Sequence, residues 1–220
     1  MTYRWRLNIT EDVYIVGNFI FDPIGSGIFF GADGETQTDP SLTTSNIHIS
    51  NNVITGDWNT SCIQGTIPAI TEKVHITNNI CTKTGTTGAS SSGIIVRRTN
   101  GATLPAENII IEFNTITASS GASLGKAGLF VNGGLFNDMQ IVSNQIRDVS
   151  TFAVLLRGNV QNAIVSNNII DGSTVGIGVV LPVIILVEYF TAILLSILQL
   201  MDFICLPLLV KPSRLLLETM

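Results

Sequence analysis

The sequence predicts an all-β fold in which short strands from successive repeats stack in parallel. Two observations predict it. A strand-like pattern recurs six times along the chain, and no segment between the copies carries a helical period of about 10 residues or more. The pattern reads apolar-x-apolar-x-x-Asn-x-apolar, at intervals of 34, 27, 35, 30 and 24 residues. Repetition on this scale is typical of a solenoid, because each repeat buries its apolar face only against its neighbours.

Each repeat carries one asparagine at the same place, after two alternating apolar residues. Alternation places the apolar side chains on one face of a strand, and asparagine tolerates the bent or left-handed backbone that ends it. Equivalent residues of stacked strands lie about 4.8 Å apart, so neighbouring amides can hydrogen-bond. We therefore predict a structural ladder of six side chains: Asn18, Asn52, Asn79, Asn114, Asn144 and Asn168.

A second strand-like segment follows each asparagine and begins with a small residue, as in Gly27–Phe30, Gly93–Val96 and Gly128–Val131. The pattern I-x-I-x-x-N-x-I followed by G-I-x-V resembles the right-handed parallel β-helix repeat of pectate lyases, polygalacturonases and phage tailspikes. The resemblance covers Val13–Val180. It implies an all-β, right-handed parallel β-helix solenoid of about six coils.

The resemblance also implies a polysaccharide ligand, because proteins with this repeat include polysaccharide lyases, glycoside hydrolases, adhesins and viral spikes. The chain lacks the paired-aspartate motifs of polygalacturonases and the calcium-binding aspartates of pectate lyases. We expect a polysaccharide-binding or polysaccharide-degrading module of a larger surface or virion protein. If it is an enzyme, the class is polysaccharide lyase or glycoside hydrolase. The alternative is a non-catalytic structural or adhesive solenoid.

Composition limits the class of partner. Only 12% of the residues are charged and the formal net charge is -5, so we expect no nucleic-acid partner. The first residues lack the apolar segment of a secretory signal, which favours a virion protein or a truncated module. We expect an extracellular, cell-surface or virion location and no cofactor. Among the three cysteines, Cys81 occupies an inward apolar position and is predicted to be a buried thiol rather than a disulfide.

The composition changes abruptly at Leu181. All 20 glycines and all the asparagines precede it, so we divide the chain into a β-helix, 1–180, and an apolar tail, 181–220, predicted to be helical. Three interpretations of the tail remain open. It is a membrane helix over Val183–Met201, which is long enough but contains Glu188. Or it is an amphipathic helix that caps the solenoid, or it is sequence that is not native, as after a frameshift.

Candidate functional residues come from aligning the outward positions of successive repeats into columns. One column holds Tyr14, His48 and His75. Two imidazoles about 5 Å apart suit metal binding, acid–base catalysis or contact with a sugar ring. No third ligand is visible in this column, so no metal site is predicted. We list both histidines as catalytic candidates and Tyr14 as a ligand contact; a solvated histidine pair is the alternative.

The outward position after each small-residue strand forms a second column, which contains two arginines. Guanidinium groups in a row suit an acidic polysaccharide, because each can bind a carboxylate through two hydrogen bonds. We predict that Arg97, Asn132 and Arg157 bind the ligand, and we place Gly31 and Gly65 in the same column. Ordinary surface arginines are the alternative.

Two aspartates, Asp148 and Asp171, follow the bends of the last two repeats near Arg147. Paired carboxylates are the catalytic groups of glycosidases, so both are catalytic candidates; a salt-bridged surface cluster is the alternative.

One further outward column is predicted to be apolar. A continuous apolar stripe on a soluble monomer is expected to be covered, either by the tail or by formation of a homotrimer. Its predicted members are Phe29, Ile63, Ile95, Phe130 and Leu155.

Overall fold

A computed structural model describes residues 9–31, 43–67, 70–98, 105–180 and 183–185. These residues form strands, turns and loops and contain no helix, which confirms the predicted all-β class. The strands are β1 (Ile9–Val16), β2 (Phe19–Phe21), β3 (Ser26–Gly31), β4 (Thr43–Ser50), β5 (Val53–Gly56), β6 (Ser61–Ile67), β7 (Ile70–Thr77), β8 (Ile80–Lys83), β9 (Ser92–Arg98), β10 (Ala106–Glu112), β11 (Thr115–Ala118), β12 (Ala127–Asn137), β13 (Gln140–Val142), β14 (Gln145–Arg147), β15 (Phe152–Ser166), β16 (Ile169–Asp171), β17 (Val175–Val180) and β18 (Val183–Ile185).

All strand pairs in the described part of the chain are parallel, and strands pair with their equivalents in neighbouring repeats. The strands before the asparagines form a first stack of β1, β4, β7, β10, β13 and the second half of β15. The short strands after the asparagines form a second stack in the order β2, β5, β8, β11, β14, β16. The small-residue strands form a third stack of β3, β6, β9, β12, the first half of β15, and β17.

The core lies between the three stacks, because each contributes its inward apolar residues. In the second repeat, Ile47 and Ile49 of the first stack, Ile54 of the second and Ile63 of the third are all completely buried. Burying a side chain of this size stabilises the fold by about 1.5–3 kcal/mol. In the first repeat, the corresponding residues of the first and second stacks, Ile15 and Ile20, are only partly buried, because they have a described neighbour on one side only.

Left-handed backbone recurs at two places in each repeat. The first lies six residues before each ladder asparagine, where φ is 53–57°, as in Asp12 and Asn46. The second is the residue directly before the asparagine, as in Gly17, Asn51 and Phe113. The ladder asparagines themselves do not have positive φ. The interpretation that asparagine itself adopts the left-handed bend was therefore wrong by one residue.

In three third-stack strands, the small residue at the start makes room for an inward isoleucine. A Cβ on Gly93 would lie 2.4 Å from the side chain of Ile116, and one on Gly128 would lie 2.5 Å from that of Ile146. In the second repeat Cys62 takes the glycine position. It forms a disulfide with Cys81, which takes the isoleucine position, and their Cα atoms are 5.8 Å apart. The predicted free thiol was wrong because both members of one packing pair are cysteines.

The tail is described only over Val183–Ile185. These residues form β18 and pair with β15, so the helix predicted to begin at Val183 is wrong at its first three residues. The remainder of that predicted helix and the rest of the tail, including Cys205, lie outside the described residues. Within the described ranges, no helix has the length and hydropathy needed to cross a membrane.

Candidate functional site

The six asparagines form a continuous ladder, as predicted. The Nδ2 of each of the first five donates to the Oδ1 of the next asparagine at 2.9–3.0 Å. Each backbone N–H donates to the same oxygen at 2.9–3.1 Å. A second Nδ2 hydrogen bond reaches a first-stack carbonyl of the preceding repeat, as from Asn79 to Ile49 at 2.8 Å. The four interior amides are completely buried, and the ladder links successive repeats at the corner between the first and second stacks.

The outward column that contains the two arginines is aligned across the third stack. Arg97 is in register with Asn132, and Asn132 with Arg157. The residue in register with Arg97 on the other side is Thr66, not Gly65 as predicted. Gly65 lies one residue away on the alternating strand and faces inward. A Cβ there would lie 2.4 Å from the Phe30 ring.

We call Thr66, Arg97, Asn132 and Arg157 the arginine row. Both arginines are exposed and Asn132 is half-buried. Arg97 donates from Nε to Oγ1 of Thr66 at 3.0 Å, which fixes its side chain and leaves its terminal amino groups for a ligand. Among the described residues, neither arginine forms an ion pair with a carboxylate. Two strand spacings separate the arginines, which is about 10 Å along the stack.

The predicted apolar column is neither continuous nor exposed. Gln64, not Ile63, is in register with Phe29 and Ile95, because Ile63 faces the core. Ile95, Phe130 and Leu155 form a second buried cluster with Ala127, and Phe152 packs against it. The exposure that motivated the homotrimer prediction is therefore not present at these positions.

The column of Tyr14, His48 and His75 is aligned as predicted. The rings of Tyr14 and His48 are stacked, with centroids 4.9 Å apart and planes at 2°. The centroids of His48 and His75 are 5.0 Å apart, with planes at 61°. Tyr14 is 63% exposed and both histidines are half-buried. Burial, and then the imidazole of His48, lower the pKa of His75, while Glu112 acts to raise it.

The four catalytic candidates do not form one site. Asp171 is in register with Arg147 in the second stack, and the N–H of Asp148 donates to the carbonyl of Asp171 at 3.0 Å. Both carboxylates are exposed, and neither pairs with Arg147 within the described part of the chain. They lie in the last two repeats, whereas His48 and His75 lie in the second and third repeats of another stack.

A buried lysine at the corner after the second stack was missed by the sequence analysis. Lys83 is completely buried. Its Nζ bonds to Oδ1 of Asp57 at 2.5 Å, to the carbonyl of Thr87 at 2.8 Å and to the carbonyl of Trp58. The low-complexity composition of residues 82–92 is typical of a flexible surface loop, but these bonds anchor the segment at Lys83 and Thr87. Strand alternation was an available signal, since it places Lys83 on the inward face with Cys81.

The same corner lowers the pKa of the Asp57 carboxylate. Hydrogen bonds from the side chains of Lys83 and Thr87 lower the pKa of Asp57 below 3.8. The indole of Trp58 is fully buried, and its Nε1 donates to the carbonyl of Ser92 at 3.0 Å. The corner is thus a structural network between neighbouring repeats, and we assign it no ligand.

Comparisons with protein-family models, with curated proteins and with solved structures give no match. The described residues also contain no group of three or more His, Cys, Asp and Glu side chains arranged to hold a metal ion. The roles assigned below therefore rest on the geometry of this chain.

Proposed function

We propose that the chain is a polysaccharide-binding module built as a right-handed parallel β-helix of about six coils. The parallel pairing of equivalent strands and the ladder that links all six asparagines support this architecture. The right hand follows from a general rule, since connections between parallel strands of one sheet are right-handed in about 98% of cases.

The arginine row is the observation that carries the ligand assignment. Two exposed guanidinium groups lie in register on one face and have no carboxylate partner among the described residues. A guanidinium binds a carboxylate through two parallel hydrogen bonds. An extended polymer with carboxylates along its length can contact both arginines and the amide of Asn132. We therefore assign an acidic polysaccharide as the ligand class.

The geometry favours binding over cleavage. The outward columns of the third stack, from Ser61 to Arg157, contain no aspartate or glutamate in the described ranges. Asp148 and Asp171 lie on the second stack instead. A glycosidase needs two carboxyl groups on either side of the scissile bond. An activity as polysaccharide lyase or glycoside hydrolase is therefore the less favoured form of the proposal.

The disulfide supports the proposed location. Disulfides persist in oxidising environments, including cell surfaces and virions. The bond between Cys62 and Cys81 lies in the core, so it belongs to the folded architecture. We place the module outside the cell, on a cell surface or in a virion.

The test is binding of polygalacturonate to the full chain and to Arg97→Ala and Arg157→Ala variants. We expect each variant to weaken binding about tenfold or more, because a hydrogen bond to a charged group contributes about 1.5–3 kcal/mol. Arg147→Ala is the matched control, since Arg147 is an exposed arginine on another stack. Dextran, a neutral polymer, is the control ligand. Equal binding by the wild type, both row variants and the control variant would remove the arginine row from the proposal.

A second candidate, a structural or adhesive solenoid, is favoured by exposed groups in the first described repeat. The Oδ1 of Asn18 accepts no hydrogen bond from the described residues, although every later ladder amide does. Phe19 and Phe21 beside it are 71% and 66% exposed. Sedimentation at increasing protein concentration tests this candidate. The structural or adhesive candidate would be favoured if the wild type assembles and binds no glycan, and if Phe19→Ser abolishes the assembly. A sedimenting mass of three chains would support a homotrimer.

A further inference from the structure

A chain of hydrogen bonds determines which nitrogen of His48 carries the proton. The carboxylate of Asp12 only accepts, so it must receive the hydrogen bond from Nδ2 of Asn46. The amide oxygen of Asn46 therefore points towards His48, where it lies 2.9 Å from Nε2. Because this oxygen also only accepts, Nε2 is the nitrogen that carries hydrogen. In the neutral imidazole the lone pair of His48 is then on Nδ1.

The backbone conformation holds this series of hydrogen bonds in place. Asp12 and Asn46 both have left-handed backbone, with φ of 54° and 53°, at the recurrent position six residues before the ladder. This conformation is accessible to aspartate and asparagine because of their short polar side chains. His48 lies two residues after Asn46 in the same strand, β4. The pairing of β4 with β7 places His48 in register with His75.

We propose that His48 and His75 form a two-histidine site for a borderline transition-metal ion, Cu²⁺ or Zn²⁺. His48 coordinates through Nδ1, and Asn46 is its positioning residue. A histidine that binds a metal usually donates its other ring N–H to an oxygen, which fixes the tautomer and the ring orientation. The bond from Nε2 of His48 to Asn46 has this form. The site lies on the first stack, so it is independent of the proposed arginine row on the third.

The pair has one ordered aromatic neighbour. Tyr14 stacks on one face of the His48 ring. No third protein ligand is in place among the described residues, which is why the sequence predicted no metal site. Two protein nitrogens leave the remaining coordination positions to water or to a bound molecule. Imidazole ligands favour Cu²⁺ and Zn²⁺ over Mg²⁺ and Ca²⁺.

The experiment is calorimetric titration of the tag-free full chain with Cu²⁺, Zn²⁺ and Ca²⁺. All proteins carry Cys205→Ser, because the thiolate of the third cysteine also binds these metals. We expect one Cu²⁺ or Zn²⁺ per chain, with Cu²⁺ bound more tightly, and no Ca²⁺. His48→Ala and His75→Ala should each weaken binding at least about tenfold, and Asn46→Ala about tenfold. Gln140→Ala, in the same column two strands from His75, should bind as the wild type does.

A second pair of variants and a spectroscopic measurement complete the test. If circular dichroism shows that the alanine variants are unfolded, His48→Gln and His75→Gln replace them. Electron paramagnetic resonance of the Cu²⁺ complex should show two coordinated imidazole nitrogens in the wild type and one in each histidine variant. Absence of Cu²⁺ and Zn²⁺ binding would overturn the proposal. So would equal affinity of the wild type and either histidine variant, or a nitrogen count that neither variant changes.

Discussion

The two corners of the repeat on either side of the second stack are built by different means. At the corner before it, every repeat has a left-handed residue followed by an asparagine that hydrogen-bonds to an asparagine of a neighbouring repeat. At the corner after it, Lys83 of the third repeat bonds to Asp57 of the second, and the other repeats have different residues. The first corner joins identical residues along the whole stack, whereas the second joins two unlike residues of two repeats.

The difference explains where the sequence repeats. An amide that bonds to its equivalent in the next repeat requires the same residue in that repeat, so Asn52 implies Asn79 and Asn79 implies Asn114. Lys83 bonds instead to an aspartate and a carbonyl of the preceding repeat and to a carbonyl of its own, so it does not require a lysine in any other repeat. The repeated corner is therefore expected to be the more sensitive to mutation, because each change disturbs three repeats.

The largest effect is expected from Asn79→Ala. The substitution removes the acceptor of two Asn52 hydrogen bonds and the donor to the carbonyl of Ile49 in the interior. Unsatisfied buried groups cost about 1–3 kcal/mol each, so we expect the free energy of unfolding to fall by about 3–5 kcal/mol. Urea denaturation followed by circular dichroism measures the change.

Asn18→Ala is the matched control for that experiment. Asn18 is exposed and its Oδ1 accepts no hydrogen bond within the described residues, so we expect a loss below about 1.5 kcal/mol. Equal losses for the two variants would show that ladder bonding between repeats does not stabilise the interior.

The next effect concerns the disulfide, which replaces a glycine–isoleucine contact. Reduction, or Cys62→Ser with Cys81→Ser, should lower the free energy of unfolding by about 3 kcal/mol, the value for closing a loop of similar length; the cysteines are 19 residues apart. The double variant Cys62→Gly with Cys81→Ile restores the pair present in neighbouring repeats and should be more stable than the serine variant. Thermal unfolding of the three proteins decides this, and a less stable Gly/Ile variant would contradict the packing argument.

The sequence predicted the parts of the molecule that repeat. The ladder, the parallel strands and the alignment of His48 with His75 all follow from periodicity. The register of a single strand was harder to predict, because an error of one position reverses the side of the sheet. Gly65 and Ile63 were misplaced for this reason. The disulfide and Lys83 were missed because each depends on one pair of residues with no equivalent elsewhere.

The corner formed by Asp57 and Lys83 should be more sensitive to acid than the ladder. The folded state lowers the pKa of Asp57 below 3.8, so the stabilisation is present above that value and is lost as the pH falls through the folded pKa. We expect Asp57→Asn to be less stable than the wild type at neutral pH, by less than the ladder variant. The difference should shrink as the pH falls below about 3.8.

Urea unfolding of both proteins across this pH range measures the difference. Asp148→Asn is the control, since the carboxylate of Asp148 is exposed and forms no ion pair among the described residues. A difference between Asp57→Asn and the wild type that stays constant with pH would refute the role of the Lys83 pair.

The smallest expected effect is an increase in stability. It tests the left-handed residue that precedes each ladder asparagine. Phe113 has φ of 54° directly before Asn114, and it is 54% exposed. The other repeats have glycine, asparagine or serine at this position. Left-handed backbone costs an L-residue roughly 1–2 kcal/mol, and asparagine tolerates it better than phenylalanine. Phe113→Asn should therefore raise the free energy of unfolding by about 1 kcal/mol. Ser143→Asn, at the equivalent position of the next repeat, should change it less. If Phe113→Asn destabilises the protein instead, the ring contributes more through its contacts than its backbone conformation costs.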